Sequence, residues 1–247
     1  MKCIILCAGY STRLYPLTLN KPKQLLEVGD KLMIDYIVEK VNELKTVDEI
    51  IVVSNNKFYE QFDDWRKNVS SNKKITIVND GTNSNEERLG AVGDIHFAVD
   101  KLNINDDLLV IGGDNLFQFS LQEFHSFFLD KKSSIIAVYD LLDPKKLAKK
   151  FGVVELDNKS KIIGFEEKPA EPKTSLASTA CYVFSRKHLD LLKECIEKSH
   201  TPDNLGDFIR WLSNKEVIYG FTFIEPWIDI GSPEEYKEVQ KQFSKVF

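Results

Sequence analysis

The sequence predicts an α/β fold with a mostly parallel central sheet and an added antiparallel layer. Unbroken apolar runs of strand length alternate with helical-length segments in the first half of the chain, and shorter strand-like runs fill the second half. Hydrophobic residues make up 43% and charged residues 29% of the 247 residues, which is a globular composition rather than a disordered one. We therefore expect a single domain spanning residues 1–247.

The strands of the first half are four continuous apolar runs, and such runs are typical of strands covered on both faces. They are Cys3–Ala8, Ile50–Val53, Ile75–Val78 and Leu108–Ile111. Between the first two, apolar residues recur at spacings of three and four from Ile34 to Leu44, which predicts an amphipathic helix and hence a βαβ unit. Ser120 with Glu123, and Ser232 with Glu235, have the capping-box spacing of helix starts.

The second half changes in texture after about residue 130. Its shorter runs are broken by charged and proline-containing turns, which favours antiparallel strands. They are Ile135–Tyr139, Val153–Leu156, Ile162–Phe165 and Ala180–Phe184. No repeat or linker separates the parts, so we treat residues 1–130 and 131–247 as two halves of one domain.

Charge and cysteine usage exclude several classes of function. The net charge is −5 and no basic stripe is present, so neither nucleic acid nor an anionic membrane is an expected partner. No apolar run reaches the roughly 20 residues of a membrane span, and no signal peptide is visible. Four cysteines without CxxC spacing indicate reduced, buried thiols and a cytoplasmic location. The oligomeric state stays open, a homo-oligomer included.

The turn after the first strand is the first candidate site. Small and hydroxyl residues let backbone N–H groups approach an oxyanion closely, and a nearby arginine and lysine supply positive charge. The residues are Ala8, Gly9, Ser11, Thr12, Arg13 and, in the following polar loop, Lys23. We interpret this turn as a phosphate site, although the spacing also fits an ordinary surface loop. Neither a P-loop nor a GxGxxG fingerprint is present, which disfavours a dinucleotide-dependent oxidoreductase.

Two carboxylates follow apolar strands farther along the chain. Asp114 comes directly after the fourth strand, and Asp229 lies between a strand and the capped helix near Ser232. Each taken singly is as often a turn former as a ligand. Two carboxylates together with phosphate oxygens and water are the usual way in which Mg²⁺ is held, so we predict a Mg²⁺ site at Asp114 and Asp229.

Six ordered motifs make the chain resemble a known family. They lie at residues 6–23, 88–93, 112–115, 151–155, 166–169 and 227–231. In this order they are similar to the sugar-nucleotide pyrophosphorylases, that is, nucleoside-triphosphate sugar-1-phosphate nucleotidyltransferases of the short glucose-1-phosphate thymidylyltransferase type. The resemblance implies a Rossmann-like α/β/α sandwich with a GT-A-like nucleotidyltransferase fold. Residues 1–130 would then form the nucleotide-binding half, and 131–247, with its antiparallel sugar-binding layer, the acceptor-binding half.

The resemblance also implies roles for individual residues. Ala8, Gly9, Ser11, Thr12 and Arg13 would surround the triphosphate, and Lys23 would reach its α-phosphate. Asn85 and Gly90 would contact the base. Asp114 and Asp229 would hold catalytic Mg²⁺. The sugar-1-phosphate pocket would be lined by Asn115, Gly152, Glu167, Lys168, Thr179, Tyr182 and Trp227. Arg13, Lys23, Asp114 and Lys168 would carry catalysis, and the products would be an NDP-sugar and pyrophosphate.

Departures from the family pattern leave the substrates open. Ala8, Ser11 and Asn85 differ from the expected residues, so dTTP, UTP, CTP and GTP all remain candidates. Tyr182, Trp211 and Trp227, with Asp207, would also suit a cationic head group, which makes a cytidylyltransferase acting on phosphocholine or a similar alcohol phosphate the alternative. A non-catalytic binding or regulatory relative is a further alternative. The chain ends soon after its last motif, so we expect a single reaction.

Overall fold

The computed structural model describes residues 1–198 and 204–246, with side chains described as far as Lys241. Strands and helices alternate along the chain. The strands are β1 (Lys2–Leu6), β2 (Glu27–Val28), β3 (Lys31–Leu32), β4 (Glu49–Ser54), β5 (Lys74–Asn79), β6 (Leu108–Gly112), β7 (Asn115–Phe117), β8 (Ile135–Asp140), β9 (Gly152–Leu156), β10 (Ile162–Glu167), β11 (Leu176–Phe184), β12 (Tyr219–Phe223) and β13 (Trp227–Asp229). The helices are α1 (Met33–Asn42), α2 (Tyr59–Arg66), α3 (Gly90–Lys101), α4 (Leu121–Lys131), α5 (Asp190–Lys198), α6 (Leu205–Ser213) and α7 (Pro233–Val246).

Two compact units interleave along the chain. The first contains Met1–Leu89, Ile111–Leu121 and Glu225–Phe247, and the second contains Gly90–Val110 and Gln122–Ile224. The predicted halves, 1–130 and 131–247, are continuous segments and so are drawn differently from these units. Their division of labour between nucleotide and acceptor stays a prediction.

The first unit is built on parallel strands. β1 pairs with β4 and β4 with β5, both in parallel, so that Ile4 lies beside Ile51. The core residues of β1 and β4 are fully buried, as the unbroken apolar runs predict. The predicted amphipathic helix is α1, and its apolar stripe from Ile34 to Val41 is buried. β1 ends before Cys7, whose amide still donates to the carbonyl of Val53 at 2.8 Å.

A short antiparallel ribbon completes the first unit. β13 pairs with β7, which places Asp229 opposite Asn115 and Trp227 opposite Phe117. An apolar cluster anchors this ribbon and contains Leu14, Val28, Met33, Leu116, Ile230 and Val239. Ile228 packs against the same cluster, so Trp227 and Asp229, its neighbours on the strand, lie on the opposite face.

The second unit combines parallel and antiparallel pairs. β8 pairs with β11 antiparallel and with β12 in parallel, while β9 pairs antiparallel with β10 and β11. β11 is also adjacent to β6, so the antiparallel strands extend that strand's sheet edge to edge instead of stacking on it as a separate layer. Pairing satisfies backbone groups that an open edge would leave exposed. The predicted α/β class with a mostly parallel central sheet is confirmed.

Two general expectations can be compared with the structure. None of the helices in the described residues is long and apolar enough to cross a membrane. All four cysteines lie in the described part of the chain, where each is buried and none forms a disulfide. The prediction of buried thiols is therefore confirmed.

His188 should make the stability of the fold depend on pH. The ring is 1% exposed, and its Nδ1 lies 2.7 Å from the hydroxyl of Ser134. Burial, together with the charge of Lys187, lowers the pKa of His188 below its usual 6.5. The unfolded chain therefore binds this proton first, and the free energy of unfolding should fall as the pH drops below about 6.5 and through the lowered folded pKa.

Denaturant titrations between pH 7 and 5 would measure this dependence. The His188→Asn variant should show a shallower loss of stability than the wild type over that range, because its side chain does not titrate. Equal slopes in the two proteins would contradict the assignment.

Candidate active site

Hydrogen bonds from side chains to its carbonyl groups hold the predicted phosphate turn in place. The carbonyl of the buried residue Ala8 accepts a hydrogen bond from the amide of Asn55 at 2.8 Å. Ser11 has a left-handed backbone, with φ 49° and ψ 41°, and its carbonyl accepts from the hydroxyl of Thr18 at 2.8 Å. Both hydrogen bonds come from side chains of the protein and fix the backbone of the turn at these two carbonyl groups.

The outer side of this turn is open. Gly9, Thr12 and Arg13 are exposed. A Cβ built on Gly9 would meet no protein atom within 4 Å, so packing does not demand glycine there and space is left for another molecule. The guanidinium of Arg13 lies 3.9 Å from a Cβ built on Gly231, which puts the arginine next to the end of β13.

Lys23 and Asp114 form the central ion pair of the site. The ammonium of Lys23 donates to Oδ2 of Asp114 at 2.8 Å, and the lysine side chain is 5% exposed whereas the aspartate is 34% exposed. Burial alone would raise the pKa of Asp114, but the charge and hydrogen bond of Lys23, with a hydrogen bond from Asn115, hold it below the usual 3.8. Asp114 is therefore ionised at neutral pH.

Asp229 belongs to the same cluster. Burial and the negative charge of Asp114 raise its pKa to about 6, while the charges of Lys23 and Arg13 act in the opposite direction. These mutual effects mean that the structure brings Arg13, Lys23, Asp114 and Asp229 together, as the sequence predicts. Two carboxylates close enough to repel each other form a cation-attracting site.

The donor set of this cluster fits a hard divalent cation. Carboxylate oxygens are preferred by Mg²⁺, which usually takes one or two of them and completes its shell with water and substrate phosphates. Within residues 1–198 and 204–246 there is no group of three or more His, Cys, Asp or Glu side chains arranged to hold a metal. The pair Asp114 and Asp229 would therefore need oxygens from a bound substrate.

Gly113 allows the close approach that this cluster requires. Its amide donates to the carbonyl of Leu6 at 3.0 Å. A Cβ at this position would lie 2.6 Å from Sγ of Cys7, and 2.8 Å from both Cγ of Gln24 and the Leu6 carbonyl. No side chain fits there without movement of the backbone.

Gly113→Ala should lower the free energy of unfolding by about 1–3 kcal/mol, because overpacking a filled site forces its neighbours apart. Urea titration would measure the change. Gly9→Ala is the matched control for stability, since its Cβ would meet nothing, and it should unfold within about 0.5 kcal/mol of the wild type. A Gly113→Ala protein as stable as Gly9→Ala would contradict the prediction.

Asn115 and Trp227, predicted to line the acceptor pocket, contact each other. The indole N–H of Trp227 donates to Oδ1 of Asn115 at 2.7 Å, and the amide nitrogen of Asn115 donates to Oδ1 of Asp114 at 2.8 Å. Asn115 is 3% exposed. The described contacts thus connect both residues to the carboxylate of Asp114, and their predicted contact with an acceptor stays a prediction.

Several residues of this site escaped the sequence analysis. Asn55 follows β4 at the same edge as the phosphate turn, and the ends of neighbouring parallel strands could have drawn attention to it. Thr82 contacts the hydroxyl of Tyr10 at 3.3 Å and donates to Asp80 at 2.9 Å, which ties the turn to the loop after β5. Gln24 is buried, and its Oε1 has no hydrogen-bond partner among the described residues. No sequence signal singled out Thr82 or Gln24.

The two predicted base-contacting residues lie in different units. Asn85, in the first unit, is half-buried, and its carbonyl accepts from the guanidinium of Arg88 at 2.9 Å. Gly90, in the second unit, is buried and begins α3 with a φ of 76°. Their predicted contacts with a base stay predictions.

Within the second unit, Glu167 lies against the backbone of two glycines. A Cβ at Gly206 would be 2.5 Å from its Oε2, and one at Gly152 would be 3.1 Å away. Burial and the charge of Asp207 raise the pKa of Glu167, while Lys168 opposes the rise. The ammonium of Lys168 is 3.6 Å from Glu167, and its backbone is left-handed with φ 47°. A strained lysine beside a half-buried carboxylate is a feature that functional sites often show.

The remaining predicted acceptor residues are engaged by the protein. The hydroxyl of Thr179 is buried and donates to the carbonyl of Ala137 at 2.8 Å. Tyr182 is 3% exposed and stacks on Phe184 with ring centroids 5.5 Å apart. The ammonium of Lys215 lies over the ring of Trp211, 4.2 Å from the ring centroid. The rings proposed for a phosphocholine pocket in this unit thus already have partners.

A turn of this kind, next to carboxylates and a buried lysine at the ends of parallel strands, is typical of α/β proteins that bind phosphorylated ligands. The chain belongs to the nucleotidyl transferase family, whose sequence profile matches residues 2–246. It is 32% identical over 241 residues to the bifunctional protein GlmU of Methanocaldococcus jannaschii, covering 98% of this chain and 54% of that protein. The chain therefore spans about half the length of the curated relatives that it matches.

Solved structures support the same fold. A UDP-glucose pyrophosphorylase complexed with UDP-glucose superposes with a TM-score of 0.84 at 22% identity, covering 99% of this chain and 98% of that one. A Bacillus anthracis protein described as a glucose-1-phosphate thymidylyltransferase, in complex with sucrose, superposes with a TM-score of 0.81 at 26% identity, covering 98% and 94% of the two chains. The resemblance read from the six motifs is confirmed.

Proposed function

We propose that this protein is a Mg²⁺-dependent nucleotidyltransferase that transfers a nucleoside monophosphate from a nucleoside triphosphate to a sugar-1-phosphate. The products are an NDP-sugar and pyrophosphate. The observation that carries the proposal is the cluster of Lys23, Asp114 and Asp229 beside an open turn, since it combines a cation for phosphate with carboxylates for a metal. The nucleotidyl transferase family and the name of the similar Bacillus anthracis protein support the same reaction class.

The first unit would bind the triphosphate. Gly9, Ser11, Thr12 and Arg13 surround the space at the turn, and Arg13 supplies an exposed guanidinium suited to phosphate oxygens. Lys23, held in place by Asp114, would donate to the α-phosphate. Ala8 contributes the buried start of the turn, and Asn85 and Gly90 would contact the base.

The reaction needs no general base, because the acceptor phosphate is already ionised at neutral pH. An oxygen of that phosphate attacks the α-phosphorus in line, and the bond from the α-phosphorus to the pyrophosphate oxygen breaks. Catalysis then consists of positioning two anions and neutralising their charge. Mg²⁺ held by Asp114 and Asp229 would add positive charge at the phosphate oxygens. Arg13, Lys23 and Lys168 would supply the rest.

The second unit would bind the sugar-1-phosphate. Glu167 offers a half-buried carboxylate to sugar hydroxyls, and Gly152 leaves room for it. Lys168 places an exposed ammonium where a phosphate can be held. Thr179 and Tyr182 would belong to the same pocket. For Asn115 and Trp227, which belong to the first unit, contact with the acceptor is likewise proposed. A cytoplasmic location is likewise proposed, because buried, reduced thiols are typical of proteins from a reducing compartment.

Pyrophosphate release with Mg²⁺ tests the proposal. ATP, GTP, CTP, UTP and dTTP would each be combined with a panel of sugar-1-phosphates and with phosphocholine, with EDTA in place of Mg²⁺ as the control. We expect release with at least one sugar-1-phosphate, and none in EDTA. The pair that reacts names the base and the acceptor.

Other results would change the proposal in defined ways. Release with phosphocholine alone would replace the sugar acceptor by an alcohol phosphate. Triphosphate binding without release for any acceptor would favour a non-catalytic relative. Undiminished release in EDTA would remove the metal from the reaction.

A further inference from the structure

A chain of hydrogen bonds runs across one face of the ribbon formed by β7 and β13. Asn115 lies directly opposite Asp229, and Trp227, two residues earlier on the same strand, shares the face of Asp229. The indole N–H of Trp227 reaches diagonally to Oδ1 of Asn115 at 2.7 Å, and the amide nitrogen of Asn115 reaches Oδ1 of Asp114 at 2.8 Å. Lys23 completes the chain on Oδ2 of Asp114 at 2.8 Å.

The chemistry of the indole gives this series of hydrogen bonds a direction. An indole N–H can only donate, whereas an asparagine amide presents one acceptor and one donor end. Donation by Trp227 therefore fixes Oδ1 of Asn115 on its own side and turns the NH₂ group toward Asp114. A flipped amide would place its oxygen against the carboxylate and repel it.

We propose that Trp227 is a positioning residue for the metal site: through Asn115 it sets the orientation of the Asp114 carboxylate. This inference rests on the proposed function, in which Asp114 holds Mg²⁺. Asn115 and Lys23 each occupy one carboxylate oxygen, so the plane of the carboxylate is fixed while lone pairs on both oxygens stay available to a cation. Hydrogen bonds behind metal ligands tune metal affinity in this way, and their loss typically costs 10–100-fold.

Trp227→Phe tests the role, because it keeps one aromatic ring while it removes the N–H donor together with the rest of the indole. Binding of Mn²⁺, as a spectroscopic substitute for Mg²⁺, would be followed by electron paramagnetic resonance in the presence of inorganic tripolyphosphate, without any acceptor. We expect Trp227→Phe to weaken Mn²⁺ binding by roughly tenfold. Trp65→Phe is the matched control, since it removes an indole N–H bond to Asp35 at 2.8 Å in a different part of the same unit, and its Mn²⁺ affinity should equal that of the wild type.

A double substitution separates positioning from a direct contact. If Trp227 acts only through Asn115, then Trp227→Phe combined with Asn115→Ala should bind Mn²⁺ within about twofold of Asn115→Ala alone. Additive losses of Mn²⁺ affinity in the double variant would overturn the inference that Trp227 acts through Asn115. If the wild type binds Mn²⁺ and Trp227→Phe binds it with the same affinity, the inference is overturned and the proposed function stands. A wild type that binds no Mn²⁺ with tripolyphosphate would overturn both.

A measurement on the unsubstituted protein covers the case in which a variant does not fold. The chain has three tryptophans, Trp65, Trp211 and Trp227, and hence three indole N–H resonances in a ¹H–¹⁵N spectrum. Addition of Mg²⁺ with tripolyphosphate should shift the Trp227 resonance and leave that of Trp65 in place. A Trp227 resonance that does not move while the metal binds would contradict the proposed positioning role of Trp227.

Discussion

Lys23→Met should reduce turnover by about 10³-fold with the protein still folded. The substitution removes the buried ammonium that is proposed to donate to the α-phosphate, and loss of one such donor typically costs 10²–10³ in turnover. It also removes the charge that holds the pKa of Asp114 below its usual value. Pyrophosphate release with the reactive substrate pair would measure the loss.

Lys40→Met is the matched control for this substitution. Lys40 is a half-buried lysine of the same unit, and its ammonium donates to the carbonyls of Gln118 and Phe119 at 3.3 and 3.4 Å, with no carboxylate hydrogen-bonded to it in the described part of the chain. Burial lowers the pKa of Lys40, and this lysine has no place in the proposed reaction. We expect near wild-type turnover from Lys40→Met. Similar losses in the two variants would show that the effect of Lys23 comes from folding and not from the phosphate.

The part of the site that follows long buried strands could be predicted from the sequence. β1 and β6 end at one edge of a sheet, as the hydrogen bond from Gly113 to Leu6 shows, so the turn after one and Asp114 after the other had to lie close. Continuous apolar runs identify such strands without any knowledge of tertiary contacts. The ion pair between Lys23 and Asp114 was not predicted, because Lys23 lies beyond the turn and not at the end of a strand.

The neighbourhood of Asp229 could not be derived in that way. It depends on β7 and β13, which have three residues each and are too short to show a period. The sequence offered Asp229 as a carboxylate between a strand and a capped helix, and the resemblance of residues 227–231 to a family motif pointed to the same position. Its raised pKa arises from a ribbon pairing that local sequence does not specify.

The direction in which a polar side chain points was also beyond the sequence. Thr179 and Asn115 are polar residues predicted to line the acceptor pocket, and each is buried with its polar atoms bonded to the protein. A threonine that faces a ligand and one that donates to a neighbouring strand have the same local sequence. The choice is made by tertiary partners such as the carbonyl of Ala137.

Asp229→Asn should strongly lower activity and at the same time stabilise the metal-free protein. Burial and the charge of Asp114 raise the pKa of Asp229 to about 6, from an ordinary value of 3.8. Because the folded pKa is the higher one, the stabilising contribution of the protonated form is complete below about pH 4 and is lost as the pH rises through about 6. At pH 8 the ionised carboxylate therefore destabilises the fold, and a neutral asparagine does not.

The size of the gain follows from the same values. A pKa difference of this extent corresponds to about 3 kcal/mol, and solvent that reaches the partly exposed carboxylate reduces the expected gain to about 1–2 kcal/mol. Urea titration in EDTA at pH 8 and at pH 4.5 would measure it, with a larger gain expected at pH 8. Asp64→Asn, an exposed aspartate on α2, is the control and should change neither stability nor turnover appreciably.

Activity supplies the other half of this prediction. Loss of a metal carboxylate should lower pyrophosphate release by about 10²–10³-fold. Replacing a residue that serves the fold lowers the stability of the protein. Replacing a residue that is kept for function at the expense of stability raises it. An Asp229→Asn protein that is less stable than the wild type at pH 8, or that retains turnover, would therefore remove Asp229 from the proposed metal site.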